Sequence, residues 1–591
     1  MVDIDRIKEG LEGYIEAGMK KQNIPGLAIS IVGRDGILWS EGFGYTDRTK
    51  QREIDSKTLF SIQSTGKTLT AVSFLRAVQK GWVGLDDKLL DHYPEFTIKS
   101  RFDTDEVSKI TFRHLLSHKA GLTHEAPLGS NYDMGDCTFE EHIESISDTW
   151  LRSRVGTEYS YSNLGFDLVA YVLQRKSGKS FPEYVNEELA EPLGIDKLFY
   201  DKEEAIAYGN TAVGFSGNFE TKFKNMMIYG AGCQYMSVDG LLQYVKMQLN
   251  NGLVNEDTFL EKDLLDEMRT VQMPAERQEG GYGLGLGYNP YMFQGVDIYH
   301  HGGGGFGFLG MMMWAQEEGY GVIVETNQEV YNSLFMDLTV KALKMVLEES
   351  GVEIKQGKNR IFDDKAEIDL SIDVLKKYQG SYICDTLEMN IKLEDKKLKG
   401  DVDGMEFALT PIGDGRFTTD KPPGMKFFLD GGKPEYVEYM NSEGNIYYFY
   451  YQDISKDRIY DTKNLEDKLK LYRGYMYGNP FFTALKIEEG NLVLYFHGCK
   501  CILNEYRPNL FFTAHGESFE LKEDKMIFRN IEHRGYDFRM DKADMNNDEN
   551  RLTYPPSMYD LAGALKFLGD KRHERVKELA DELNKKYMGH D

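Results

Sequence analysis

The sequence predicts a mixed helix-and-sheet domain, α+β or α/β, followed by two small antiparallel β-barrels and a short helical tail. Three observations carry this reading. A chain of 591 residues is too long for one compact core. Up to about residue 350, helical and strand periodicities intermingle. From about residue 370, short alternating strands recur every 8–12 residues or so, between Gly, Asp and Asn turns.

The elements follow in order. Ile7, Leu11, Tyr14, Ile15 and Met19 recur at helical spacing. Leu27–Val32 and Ile37–Ser40 read as strands around the turn Gly33-Arg34-Asp35-Gly36. Leu69, Val72, Leu75 and Val78 fall three apart, widened by Ala71 and Phe74, which predicts an amphipathic helix ending near Gly81. Tyr320–Thr326 predicts a strand and Leu334–Glu349 a helix, so helices cover a sheet. Beyond residue 370 there is an internal echo. Leu375-Lys-Lys-Tyr378-Gln-Gly380-Ser-Tyr382 returns as Leu469-Lys-Leu-Tyr472-Arg-Gly474-Tyr-Met at an offset of 94. Strand–turn–strand stretches follow each copy, at Met389–Gly400 and Ala484–Phe496. Two related closed barrels satisfy this pattern, because closure removes exposed strand edges. The expected domains are 1–355, 370–465, 466–545 and a helical tail over 555–591, where Leu561, Leu565, Leu568, Val576, Leu579 and Leu583 keep helical spacing.

A hydrophobic content of 41% with 13% aromatics is ample for packed interiors. The net charge of −26 excludes a nucleic-acid or anionic-membrane surface, both of which need a basic face, and suits substrates with an amino group. Cys137, Cys233, Cys384, Cys499 and Cys501 are few and scattered, which predicts no disulfide framework and a reducing compartment. Cys499 and Cys501 share a strand face, and no further ligand completes a metal set. The start Met1-Val2-Asp3-Ile4-Asp5-Arg6 has neither a basic nor an apolar leader region, and no apolar run is long enough to span a membrane. The expected location is cytoplasmic, or secreted or periplasmic if a leader has been removed.

Three segments bear on chemistry, and a fourth reads as structural. Ser64-Thr65-Gly66-Lys67 opens the predicted helix, and residues three apart share a helical face, so the Lys67 amine can approach the Ser64 hydroxyl. Ser64 is the only serine in the chain with a lysine three places on. The helix start adds free N–H groups where an oxyanion would form. Tyr161-Ser162-Asn163 supplies a phenol that can serve as a base and an amide that can hold both Lys67 and a substrate carbonyl. His301-Gly302-Gly303-Gly304-Gly305 offers close backbone approach at a strand edge, with the Gly304 N–H expected to pair with that of Ser64 as an oxyanion hole. Neighbouring His300 and His301 lack the spacing of a metal site. Ile110–Leu122 reads as a structural helix with a Gly121 C-cap and no chemistry of its own.

Together and in this order these residues resemble the penicillin-recognising serine hydrolases: class C β-lactamases, D-Ala-D-Ala carboxypeptidases, D-stereospecific aminopeptidases and β-lactamase-like esterases. The resemblance spans roughly residues 10–350, and includes Ile24-Pro25-Gly26, His114-Leu-Leu-Ser-His-Lys-Ala-Gly-Leu122, Ala231-Gly232-Cys233 and Tyr282-Gly-Leu-Gly285. It implies an α+β fold with a central antiparallel sheet flanked by helices, and lipocalin-like barrels after it. It further implies Ser64 as acyl-enzyme nucleophile, Lys67 and Tyr161 as proton-transfer partners, Asn163 as holder of substrate and lysine, and His301, Gly303 and Gly304 on the substrate-facing strand. Which of Lys67 and Tyr161 takes the serine proton stays open. The family's β-lactamases and carboxypeptidases carry Lys-Thr-Gly where this chain has His301-Gly302-Gly303; histidine is a weaker, titrating cation, and a glycine there removes a hydroxyl donor. That departure, with the paired barrels, resembles the D-aminopeptidase and esterase branch. The expected protein is a cofactor-free, metal-free hydrolase of small amides, short peptides or esters, with β-lactamase, D-Ala-D-Ala carboxypeptidase and a binding or scaffolding pseudoenzyme as alternatives. A homo-oligomer is left open. The turn-rich stretch 124–141 is read as an acidic lid, in which Glu125, Asp133 and Asp136 are more simply solvated than bound to a substrate ammonium.

Overall fold

The computed structural model describes residues 2–102, 104–131, 136–217, 219–221, 225–272, 281–330, 332–355, 366–384, 387–402, 405–420, 424–440, 446–452, 469–476, 479–496, 499–514, 518–521, 525–529, 538–542 and 555–587. They divide into two units, one built mainly from residues 1–148 and 154–357, the other mainly from 149–153 and 358–586.

The first unit is an α+β domain around a seven-stranded sheet. Its strands are β1 (Gly26–Gly33), β2 (Gly36–Gly44), β3 (Gly281–Tyr282), β4 (Gly287–Phe293), β5 (Val296–Gly305), β6 (Phe308–Ala315) and β7 (Tyr320–Thr326), in the order β2-β1-β7-β6-β5-β4-β3. Every neighbouring pair is antiparallel. All eight residues of β1 are buried, as in a strand covered on both faces. Alternation then assigns the faces. Leu27, Ile29 and Ile31 of β1 join Met311, Met313, Val322 and Val324 in one aliphatic core, beneath helix α1 (Ile4–Lys21). Ile7, Leu11 and Ile15 of α1 complete that core together with Leu338, Leu343 and Val346 from the last helix of the unit, Leu334–Glu349. The opposite face carries Glu325, in register with Ala28 of β1 and Gly310 of β6.

Helix α2 (Gly66–Gln79) follows directly on a 3₁₀ turn, Gln63–Thr65. The predicted amphipathic face is too narrow. Gly66 to Leu75 and Ala77 are all buried, so the helix is enclosed nearly all round and takes polar Lys67, Thr68, Thr70 and Ser73 inside. The Thr68 hydroxyl donates to the Thr65 carbonyl (2.9 Å) and the Thr70 hydroxyl to the Gly230 carbonyl (2.7 Å), so the buried threonines are satisfied. A second expectation also changes. The helix predicted within Ile110–Leu122 is only α3 (Phe112–Leu116), capped at Ser117, and the chain leaves it through left-handed His118 (φ 58°). Helices α4 (Phe139–Ser145) and α5 (Asn163–Ser177) complete the elements around the site. His301–Gly305 is regular strand, the end of β5, as its reading at a strand edge requires.

The second unit holds two closed eight-stranded antiparallel barrels. The first runs from Gly380–Cys384 to Ile446–Tyr451 and closes through Tyr382↔Tyr451. Its core is aromatic and aliphatic, with Tyr382, Phe407, Phe417, Phe427, Val437 and Phe449 buried. The Tyr382 hydroxyl is satisfied by the Tyr378 carbonyl at 2.8 Å. The second barrel runs from Leu471–Met476 to Phe538–Lys542 and closes through Tyr472↔Lys542. Two tail helices, Pro555–Leu568 and Arg572–Tyr587, follow. Leu561, Leu565 and Val576 of this tail pack with Phe482, Ala484 and Val493 of the second barrel. Cys501 is a buried thiol on the strand Cys499–Arg507. Among the described residues no helix is long and apolar enough to cross a membrane.

Candidate active site

Ser64 sits in the 3₁₀ turn at the mouth of α2, and it is the one residue from Thr58 to Leu75 that is not buried. The turn is strained, because its first residue, Gln63, adopts φ 48°. It is also wedged between two glycines that have no room for a side chain. A Cβ on Gly232 would lie 2.7 Å from the Gln63 carbonyl carbon and 3.0 Å from the Ser64 nitrogen. One on Gly303 of β5 would collide with the Ile62 carbonyl. These contacts fix the Ser64 backbone against the sheet.

The Lys67 side chain is fully buried beside it. Its Nζ lies 3.1 Å from Ser64 Oγ, 2.6 Å from Asn163 Oδ1 and 2.8 Å from the Ala231 carbonyl, and 4.8 Å from the centre of the Tyr161 ring. Burial lowers its pKa to about 7, opposed by the charges of Asp167 and Glu125. The three partners suit both protonation states. An ammonium donates to all three oxygens. A neutral amine donates to Asn163 and Ala231 and turns its lone pair to the Ser64 O–H.

The segment Tyr161–Asn163 is held by His118, in the stretch that the sequence marks as merely structural, and by Thr123 and His124 just after it. Ser162 N donates to His118 Nδ1 (3.0 Å), the Ser162 hydroxyl to the Thr123 carbonyl (2.6 Å), Ser160 N to the His118 carbonyl (2.7 Å) and Asn163 N to the His124 carbonyl (2.9 Å). Tyr161 is half-buried, with the His118 ring centre 4.2 Å and the His124 ring centre 5.4 Å from its own. Asn163 Nδ2 donates to Glu125 Oε1 at 2.5 Å. Glu125 is thus buried, against the expectation of a solvated lid; residues 124–126 and 129–131 are buried with it. Asp136 is exposed, and Asp133 lies outside the described residues. Deeper in, Asp167 of α5 accepts from Gly230 N (3.0 Å) and faces His142 Nε2 of α4 at 3.2 Å. Burial raises Asp167. It pulls His142 down, but Asp167 outweighs it and His142 is raised. His142 Nδ1 donates to the Leu128 carbonyl (2.6 Å), which leaves Nε2 turned to the Asp167 carboxyl.

His301 lies on the part of β5 that outruns β4: the β4–β5 pairing ends at Gly287↔His300, and among the described residues His301–Gly305 are flanked only by β6. Its Nδ1 faces the Gly302 carbonyl and its Nε2 the Tyr282 hydroxyl, both at 2.8 Å. Burial, then the nearby charge of Lys67, lowers its pKa to about 3. His301 is therefore a neutral imidazole at ordinary pH, not the titrating cation that the sequence suggests. With the Nδ1–H donating to the Gly302 carbonyl, Nε2 accepts from Tyr282. His300 alternates to the other face, where burial lowers it to about 4. Gly304 is the exposed glycine of the run. In register with Gly303 through Gly310, Glu325 is buried with neither oxygen hydrogen-bonded among the described residues, and burial raises its pKa well above the carboxylate range. Its carboxyl occupies the space over Gly310.

The structure thus gathers Ser64, Lys67, Tyr161, Asn163 and His301 around one point. Sequence reasoning gave no role of their own to His118, Asp167, His142, Tyr282 or the Ala231 carbonyl, and read Glu125 as solvated. A backbone carbonyl leaves no signature, but two histidines bracketing Gly121, beside a carboxylate, are a signal that could have been read. Among the described residues no group of three or more His, Cys, Asp or Glu side chains is placed to hold a metal ion.

Residues 11–344 match the family described as Beta-lactamase. The chain belongs to that family, within the penicillin-recognising serine hydrolases. It is 24% identical over 368 residues to Beta-lactamase-like protein 4 of Dictyostelium discoideum, covering 57% of this chain and 64% of that one. It is 25% identical over 257 residues to Protein flp of Staphylococcus aureus strain MW2, covering 41% and 49%. The chain therefore spans about half to two thirds of these relatives. Among solved structures, the octameric penicillin-binding protein homologue from Pyrococcus abyssi has a TM-score of 0.50 at 21% identity, covering 85% of this chain and all of that one. SurE with D-Leu has 0.55 at 19%, covering 76% and 100%. EstCE1, a hydrolase with promiscuous acyltransferase activity, has 0.50 at 20%, covering 58% and 99%. At these identities the likeness establishes the fold alone.

Proposed function

We propose that the protein hydrolyses small amides, short peptides or esters through an acyl-enzyme on Ser64. The observation that carries this is the accessible Ser64 hydroxyl 3.1 Å from a buried lysine that is half deprotonated near neutrality. Ser64 Oγ attacks the carbonyl carbon and its proton passes to the Lys67 lone pair. The N–H groups of Ser64 and Gly304 face the developing oxyanion. The carbonyl–leaving-group bond then breaks, and the amine or alcohol departs with a proton returned through Lys67 and Tyr161. Water repeats the attack on the ester, releasing the acid and restoring Ser64. Asn163 holds Lys67 throughout.

The substrate we favour is an amide or peptide with a free amino end and a D-residue, or a small ester. A neutral His301 cannot offer the cation that a substrate carboxylate needs, which argues against penicillins and free C-terminal D-Ala. The acidic net charge suits an ammonium, and one structural neighbour carries D-Leu. D-Ala-p-nitroanilide and p-nitrophenyl butyrate assayed together test this, with nitrocefin as the competing substrate. No turnover of the first two, with Ser64 intact, sinks the proposal, and rapid nitrocefin hydrolysis transfers it to the β-lactamases. kcat/KM should fall about tenfold per unit below pH 7 as Lys67 is protonated, with no second inflection from His301 between pH 5 and 8. Loss of fluorophosphonate labelling in Ser64→Ala identifies the nucleophile.

A further inference from the structure

Glu125 is joined to both sides of the site without being able to reach a substrate. Its side chain is wholly buried. Oε1 accepts from Asn163 Nδ2 (2.5 Å) and Asn131 Nδ2 (2.6 Å), and lies 3.1 Å from His124 Nδ1. Oε2 is buried with no hydrogen bond among the described residues. The two ends of an asparagine amide have nearly the same shape, so packing alone does not decide which end faces Lys67. A carboxylate can only accept. By taking the Nδ2 end, it leaves Oδ1 pointing at the lysine amine. The adjacent His124 receives the Asn163 N–H and stacks on Tyr161, so the same short stretch touches both proton-transfer partners.

Charge matters as well as orientation. Lys67 is faced by Ser64 of the 3₁₀ turn, by Asn163 and Asp167 of α5, the latter paired with His142 of α4, by Tyr161, by His301 of β5, and by Glu125. Asp167 has its charge partly answered by His142 and the Gly230 N–H. Among the described residues Glu125 has only amide donors and the His124 edge.

We propose that Glu125 is a positioning residue: it locks the Asn163 amide with Oδ1 on Lys67 and places its carboxylate behind that contact, where it bears on the proton the lysine takes from serine. This rests on the reading of Ser64 and Lys67 above. A glutamine at 125 can still accept from Asn163 but has lost the charge, whereas an alanine loses both.

The test measures the rate of Ser64 labelling by a fluorophosphonate probe from pH 5 to 9, which needs no knowledge of the substrate. Glu125→Gln should move the acid-limb midpoint down by about one unit, because removing the negative charge makes Lys67 easier to deprotonate. Glu125→Ala should in addition lower the plateau rate at least about tenfold, as Asn163 is freed to turn. A Glu125→Gln profile that superimposes on the unmodified protein's overturns the inference, whatever the thermal midpoint does, since a purely structural role would change stability and not the pH midpoint. If Glu125→Ala does not fold, Glu125→Gln alone decides. Failure of the unmodified protein to label at Ser64 overturns the hydrolase reading instead.

Discussion

The two faces of the seven-stranded sheet are built on different terms. Beneath α1 the core is aliphatic: Ile7, Leu11 and Ile15 meet Leu27, Ile29, Ile31 and Val324, and each helix hides one stripe and wets the rest. The other face holds a buried glutamate, and it leads, through Gly303 and the 3₁₀ turn, to an enclosed helix with a lysine inside it. The first face repays burial by removing apolar surface from water. On the second, each buried polar group needs a named partner, or costs stability. Polar burial is concentrated where the chemistry is.

Lys67→Met is the strongest test of that division. Labelling of Ser64 should fall by about 10²–10⁴-fold with the loss of the proton acceptor. The fold should nonetheless become more stable at neutral pH, because a desolvated amine is gone. Unfolded lysine keeps its proton up to about 10.5, whereas folded Lys67 loses it near 7, so the unmodified protein loses stability as pH falls from about 10 to 7 and no further below. Urea midpoints of the pair should therefore be furthest apart at pH 7 and converge towards pH 10. Equal midpoints at pH 7 would break the contrast.

On the aliphatic face, Leu11→Ala should cost about 2–5 kcal/mol by opening a cavity. Chemical denaturation should show that cost unchanged between pH 5 and 9, and labelling per folded molecule should be untouched.

Glu325→Gln sharpens the comparison at its least expected point. The folded state holds this proton where the unfolded chain has released it, so stability drains away as pH rises above about 4.5, by about 1.4 kcal/mol per unit until the buried acid ionises. The amide variant should be the more stable at pH 7, with the gap closing towards pH 4.5. A gap independent of pH would mean that Glu325 is already charged and partnered in the folded state.

How legible this was in the sequence differed between the same two faces. Strand Tyr320–Thr326 and helix Leu334–Glu349 follow directly from apolar spacing, since hydrophobic burial alone shapes them. The barrels were legible through the Tyr378/Tyr472 echo. Ser64, Lys67, Tyr161, Asn163 and His301 stood out as residue types in a familiar order. What stayed hidden was the state of those groups. His301 reads as a cation until its enclosure against Tyr282 is seen, and Glu125 reads as solvated until Asn163 is found bonded to it. α2 reads as amphipathic because periodicity counts a buried threonine as surface. Charge state and enclosure come from residues distant in the chain, which local patterns do not register.

The ring of oxygens around Lys67 has one more consequence. Because Ser64, Asn163 and Ala231 satisfy the amine whether or not it carries the extra proton, the transfer requires no heavy atom to move. The reorganisation energy of that step is accordingly small, having been met when the chain folded. On the proposed reading the site would also reset without a conformational cycle, since the geometry that would receive a proton from serine in acylation is the one that would receive a proton from water in deacylation. On that reading, neither half of a turnover would require this ring of oxygens to rearrange.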